Sequence, residues 1–170
     1  MKVLFIIRAT AFEKPGGDTI QAKMTAKYLK AHGVDVELKL TNEHIDYGRY
    51  QLMHFFNIIR PADILKHVQK TDLPYVISPI FMDYREYEQK ARGGLLGFLA
   101  NIFPMDFLEF LKAIGRSLKN RERLQGRSYL YRGHRQSIRY LIKNCRILLP
   151  NSESEINRLF NHYKTQQKYW

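Results

Sequence analysis

The chain is predicted to fold as one α/β domain, a mostly parallel sheet between two layers of helices, and three observations carry that expectation. Residues 3–7, Val-Leu-Phe-Ile-Ile, form an unbroken apolar run, as a strand covered on both faces requires. A loop containing Pro15-Gly16-Gly17-Asp18, an amphipathic stretch ending at His32-Gly33 and a second strand-like run over 34–40 complete a βαβ unit. The alternation then recurs: strand, helix, strand, strand, helix, strand down to Pro79, with right-handed crossovers expected. The arrangement is Rossmann-like.

In the first unit, Asp18 is expected to cap the helix, with Gln21 three residues on as its reciprocal partner. Lys23, Lys27 and Lys30 share one face; Met24, Tyr28 and Leu29, with the small Ala22 and Ala26, lie away from it as the inner side. Gly33 suits the position just past the helix end. Adjacent glycines let a backbone approach a ligand closely, and free amides at a helix start favour an anion, so Gly16 and Gly17 are candidate binding residues. Pro-Gly-Gly is equally a way to turn a chain. The tract is neither the G-x-G-x-x-G dinucleotide fingerprint nor a Walker loop.

Residues 41–50 are polar and read as a loop or short helical turn. Residues 51–59 contain a third strand, Leu52-Met53-His54-Phe55-Phe56, in which His54 reads as a packed core histidine. Pro61 suits the first turn of a helix to about Lys70, with Ala62, Leu65 and Val68 inward. Residues 75–81 make a fourth strand leaving through Pro79 towards Asp83. Residues 128–143 return to helical spacing, with Tyr131, His134, Ile138, Leu141 and Ile142 on the inner side and Arg127, Arg135 and Arg139 outward. Residues 146–150 give a fifth strand. Ser152 and Glu155 then form a capping box before the stripe Ile156, Leu159, Phe160 and Tyr163, and no further strand is expected after that helix.

The segment 85–127 breaks the rhythm as a helical excursion. Its apolar part, Leu95-Leu96-Gly97-Phe98-Leu99 through Phe110-Leu111, precedes Arg116, Lys119, Arg121, Arg123 and Arg127. Residues 84–143 carry 13 Lys and Arg against 5 Asp and Glu, which concentrates here most of the chain's net charge of +12. With Arg92, these residues form a candidate basic patch for an anionic membrane surface or an acceptor, or a solvated face of a packed helix. Nucleic acid ranks below both, because the aromatics are not interleaved with the cations as stacking platforms. With 45% hydrophobic residues, 170 residues can bury a core, and disorder is excluded. The single Cys145 rules out an internal disulfide and fits a reducing compartment, as a small core residue. No stretch approaches the roughly 20 apolar residues of a membrane span, so a cytoplasmic protein, soluble or peripheral at the inner face of the cell membrane, is expected.

Four stretches together bring a family into view: the opening strand, the Gly16-Gly17-Asp18 loop with its helix, the exit Ser78-Pro79-Ile80-Phe81-Met82-Asp83-Tyr84, and Leu148-Leu149-Pro150-Asn151-Ser152-Glu153-Ser154-Glu155. In that order, over essentially the whole chain, they resemble the N-terminal domain of bacterial family 4 glycosyltransferases of GT-B architecture, those of capsule, O-antigen and exopolysaccharide synthesis. The resemblance implies that residues 1–170 are the acceptor-side lobe of a two-lobed, retaining enzyme. Such an enzyme moves a sugar from a nucleotide-sugar donor to a glycan or lipid-linked acceptor, with no metal or cofactor required. It also implies a second lobe that grips the nucleotide through paired glutamates, so this lobe alone is expected to be inactive. By position, Gly16 and Gly17 would approach the donor diphosphate or the transferred sugar, Asp18 would cap the helix, Ser152 would face the cleft, and Asp83 is the catalytic candidate. Many relatives carry a histidine near Asp83, whereas this tract has none. Two rivals stand beside this reading: a non-enzymatic basic module that docks on anionic membrane or nucleic acid, and an epimerase-like Rossmann enzyme, which the missing fingerprint weakens.

Overall fold

The computed structural model describes residues 1–81 and 127–170. The excursion over 85–127 lies outside these, apart from its last residue, and with it lie Asp83, Arg92, Arg116, Lys119, Arg121 and Arg123. The described elements are β1 (Lys2–Ile7), α1 (Gly17–Ala31), β2 (Asp35–Leu40), a single helical turn Tyr47–Arg49, β3 (Leu52–Phe56), α2 (Pro61–Val68), β4 (Tyr75–Ser78), α3 (Arg127–Asn144), β5 (Ile147–Leu148) and α4 (Glu153–Tyr163). All five strands pair in parallel, in the order β2-β1-β3-β4-β5. The fold is therefore an α/β domain with a Rossmann-like, three-layer arrangement.

Alternation along β1 builds both layers. Leu4 and Ile6 enter a core with Met53, Phe55 and Ile77, closed by Ile64 and Leu65 of α2, Ile138, Leu141 and Ile142 of α3, and Ile156 and Leu159 of α4. Val3, Phe5 and Ile7 face the other way, onto Ala22 and Ala26 of α1. Each large aliphatic or aromatic side chain so buried contributes about 1.5–3 kcal/mol, which is why the central strands are apolar on both faces.

Several expectations change at this level. The inner face of α1 is Thr19, Ala22 and Ala26, whereas Met24 and Tyr28 are exposed. Small side chains let this helix approach the sheet closely, so the large ones sit on its outer side. In α3, His134, Ile138, Leu141 and Ile142 are buried as expected, but Tyr131 is 91% exposed and Tyr129 takes its place inside. The cause is Gly133, whose φ of 70° and ψ of 176° interrupt the helix and shift the phase of the residues before it. Arg135 and Arg139 do not simply face outward: they donate to the carbonyls of His162 and Tyr163, both at 2.6 Å, where a helix C-terminus favours cations. After α4 the chain returns to the sheet. Tyr169 bridges Leu148 in parallel, with Leu148 N–H to the Lys168 carbonyl at 2.9 Å and Trp170 N–H to the Leu148 carbonyl at 3.0 Å. Gly33, with φ of 78°, ends α1 as anticipated, and Val34 N–H reaches back to the Leu29 carbonyl at 3.0 Å.

Among the described residues no helix is long and apolar enough to cross a membrane. Cys145 is buried, and burial pushes its thiol up to about 12, as befits a core residue.

Candidate functional site

In an open parallel sheet, ligands bind beyond the carboxyl ends of the strands, where the strand order reverses. Here the reversal falls between β1, which leads by α1 to one side, and β3, which leads by α2 to the other. Three loops converge on this edge: residues 8–16 after β1, residues 57–60 after β3, and Pro150-Asn151-Ser152 after β5.

The first loop is organised by Arg8, a residue that sequence reasoning passed over. Its guanidinium donates through Nε to Asp18 Oδ2 at 2.8 Å, through Nη2 to Asp18 Oδ1 at 3.3 Å, through Nη1 to Thr10 Oγ1 at 3.0 Å, and also to the Lys14 carbonyl. Both charged side chains are largely enclosed, at 13% and 12% exposure. Burial pushes the Asp18 carboxyl upward, but the hydrogen bond and charge of Arg8, with the Thr19 amide and hydroxyl, more than offset this and hold it below its ordinary range.

Asp18 therefore does not cap α1 with Gln21. The N-cap is Gly16, in extended conformation, and Asp18 sits in the first turn, accepting from Thr19 N–H at 2.8 Å. Arg8, ten residues upstream, captures the carboxylate that a local reading assigns to the cap. Gln21 instead pairs with Asn151, Nε2 to Oδ1 at 2.9 Å and Nδ2 to Oε1 at 3.4 Å. That pair ties the start of α1 to the exit of β5, so the glycine loop and the Asn151-Ser152 turn share one edge. The glycines differ: a Cβ on Gly16 would come within 3.1 Å of Asp18 Oδ1, whereas a Cβ on Gly17 would meet nothing within 4 Å. Gly16 is tight against the Arg8–Asp18 pair, and Gly17 is open.

Ser152 caps α4 as expected, accepting from Glu155 N–H at 3.2 Å. Glu155, however, does not return the bond to Ser152. Its buried carboxylate accepts from Phe81 N–H at 2.8 Å and Asn151 N–H at 2.7 Å, fastening the exits of β4 and β5 together. Of the predicted site residues, the structure thus brings Gly16, Gly17, Asp18 and Ser152 to one edge; Arg127 opens α3, and the remaining ones lie outside the described residues.

At the reversal itself a crevice of about 240 Å³, its solvent-open mouth included, is lined by Arg8, Thr41, Asn57, Arg60 and Asp63 over a floor of Ile6, Ile7 and Phe55. Asn57 lies in the left-handed region at φ of 71°, its N–H bound to the Ser78 carbonyl at 3.0 Å and its Oδ1 accepting from Ile59 N–H at 3.3 Å. Ile80, in the equivalent place after β4, has φ of 49°, a conformation that costs a β-branched residue free energy and clusters at functional sites. Thr41 is held by His67, Oγ1 to Nε2 at 2.8 Å, while His67 Nδ1 meets the Tyr47 hydroxyl at 2.9 Å. Burial drives His67 down to about 3, with Lys66 and Lys70 adding to the effect, so this ring is a neutral brace. His54, also driven to about 3 by burial, bonds the Ser78 hydroxyl at 2.9 Å inside the sheet, the packed role anticipated for it.

No protein-family model, no curated protein and no solved structure matches this chain.

Proposed function

We propose that the chain is the acceptor-side N-terminal lobe of a retaining glycosyltransferase of GT-B architecture, which transfers a sugar from a nucleotide-sugar donor to a glycan or lipid-linked acceptor in bacterial surface polysaccharide synthesis. The observation that carries the reading is the joining of Gly17 and Ser152 on one sheet edge through the Gln21–Asn151 amide pair. Two of the stretches that carry the resemblance, 130 residues apart, meet where a parallel sheet binds its ligands. Gly17 leaves space above the first turn of α1 for a sugar, while Asp18 occupies the position a phosphate would take at that helix start. The reading requires a second lobe that binds the nucleotide and a cytoplasmic enzyme acting at the inner face of the membrane, with the basic residues over 92–127 as its candidate contact with lipid or acceptor.

The test is sugar transfer by the protein joined to the downstream sequence of its reading frame, offered nucleotide-sugars and lipid-linked or glycan acceptors. Gly17→Val fills the open space without touching the fold, and a misplaced substrate costs about a hundredfold in rate, so transfer is expected to fall by at least that much at unchanged thermal midpoint. A variant as active as the parent would refute the assignment of the loop. A reading frame lacking a second lobe would refute the function.

A further inference from the structure

The two strands that flank the reversal end in the same device, an arginine followed by an aspartate in the first turn of the next helix. They use it differently. Arg8 is committed: Nε, Nη1 and Nη2 all donate within its own loop and the first turn of α1, and its carboxylate partner is as enclosed as it is. Arg60 is not. Its one ion pair runs from Nη1 to Asp63 Oδ2 at 3.3 Å, with both side chains about a quarter to a third exposed, and its Nε and Nη2 have no acceptor among the described residues. The guanidinium lines the crevice together with Asn57, whose Oδ1 is engaged by Ile59 N–H, which leaves the Nδ2 amino group as a donor.

We infer that this crevice binds a phosphoryl group, held by Arg60 with Asn57 beside it, and that Arg8 serves as a positioning residue that keeps the β1 wall in shape. A guanidinium fork and an amide supply donors in the number and spread that a tetrahedral oxyanion accepts. The start of α2 lies at the same wall and adds its favourable dipole. The enclosed space is only about 10 Å³, room for a single water, so the crevice touches one charged group of a larger ligand and does not enclose it. Asn57 holds its left-handed conformation at this wall, with its carbonyl accepting from Arg60 N–H at 3.4 Å. Both helix starts carry a carboxylate in the first turn, but Asp18 is enclosed and held by Arg8 at 2.8 Å, whereas Asp63 meets Arg60 at 3.3 Å with both side chains partly exposed, so the α1 start is the poorer choice for the same group.

The inference deepens the proposed function by placing the phosphoryl group of the substrate on the β3 side of the edge, and it rests on that edge being the ligand face. Its test is calorimetric titration of the full chain with inorganic phosphate and pyrophosphate at constant ionic strength, with malonate as the carboxylate arm. Phosphate or pyrophosphate is expected to bind more tightly than malonate. Arg60→Gln should weaken it at least tenfold, Arg60→Lys should fall between, and Lys23→Gln, on the exposed face of α1, should leave it unchanged. Arg60 is partly exposed, so circular dichroism of these variants is expected to match the parent. Binding equal to that of chloride, binding stronger for malonate, or equal affinity in Arg60→Gln would overturn the inference. Phosphate binding without sugar transfer would count against the proposed function alone, and transfer without phosphate binding against this inference alone.

Discussion

The two arginine–aspartate pairs that follow β1 and β3 have the same chemistry in different settings, and the difference separates support from recognition. Arg8 and Asp18 are enclosed and meet at 2.8 Å, so each satisfies a charge the other would leave stranded. Arg60 and Asp63 meet at 3.3 Å in a setting open to water, where an ion pair adds about 0–1 kcal/mol and holds its partners loosely. Enclosure makes a pair structural; openness leaves a cation able to change partners. The same rule orders the other charges of the edge: Glu155, buried and bonded to two backbone amides, is a fastener, and the lysines of α1 stay in solvent.

The sharpest way to break this comparison is to remove each arginine in turn. Arg8→Ala strands an enclosed carboxylate, which costs about 2–4 kcal/mol and lowers the thermal midpoint by about 5–15 °C in a chain of this size. The double replacement Arg8→Met with Asp18→Leu should recover much of that loss, because nothing charged is then left without its partner. A fall no larger than that of Arg60→Gln, read by thermal denaturation, would erase the distinction.

Acid should separate the two walls next. His67 braces Thr41 and Tyr47 only while neutral, and its value of about 3 in the fold lies below the ordinary 6.5. Its contribution is therefore full above pH 6.5 and is lost progressively as pH falls from there towards 3. Asp18 is depressed below the carboxylate range, so its contribution persists through that interval and goes only at lower pH. Amide exchange, corrected for intrinsic rate, is expected to quicken in α2 and at the β2 exit near pH 5 before it does in α1; the reverse order would contradict the assignment. The smallest effect is that of Arg60→Gln on stability, below about 1 kcal/mol by denaturant titration, even though the same change removes the phosphoryl contact.

Much of this architecture was legible in the residues. Continuous apolar runs mark strands covered on both sides, Gly33 marks the left-handed end of α1, and His54 and Cys145 read as core because their neighbours are apolar. Asp18 was misread because its partner is ten residues upstream, and a long-range ion pair leaves no mark in local helix-capping chemistry. Of the residues expected on the inner side of α1, Ala22 and Ala26 are buried but Met24 and Tyr28 are exposed, because close approach to the sheet admits only small side chains there. Tyr131 followed a helical phase that Gly133 resets. The switch-point crevice was missed altogether, since a single arginine before Pro61 reads as a loop residue. The repeat that could have revealed it is Arg directly after an apolar run, then Asp in the first helical turn, as in Arg8 with Asp18 and Arg60 with Asp63.

The proposed ligand edge lies at the β1–β3 reversal, with Arg60 as its phosphoryl contact. Titration of ¹⁵N-labelled protein with pyrophosphate at constant ionic strength tests it most directly, because every backbone amide reports its own surroundings. Saturable shifts are expected to concentrate at Asn57, Arg60, Asp63 and Arg8 and to be abolished by Arg60→Gln. Shifts spread over the lysines of α1, or unchanged by Arg60→Gln, would contradict it.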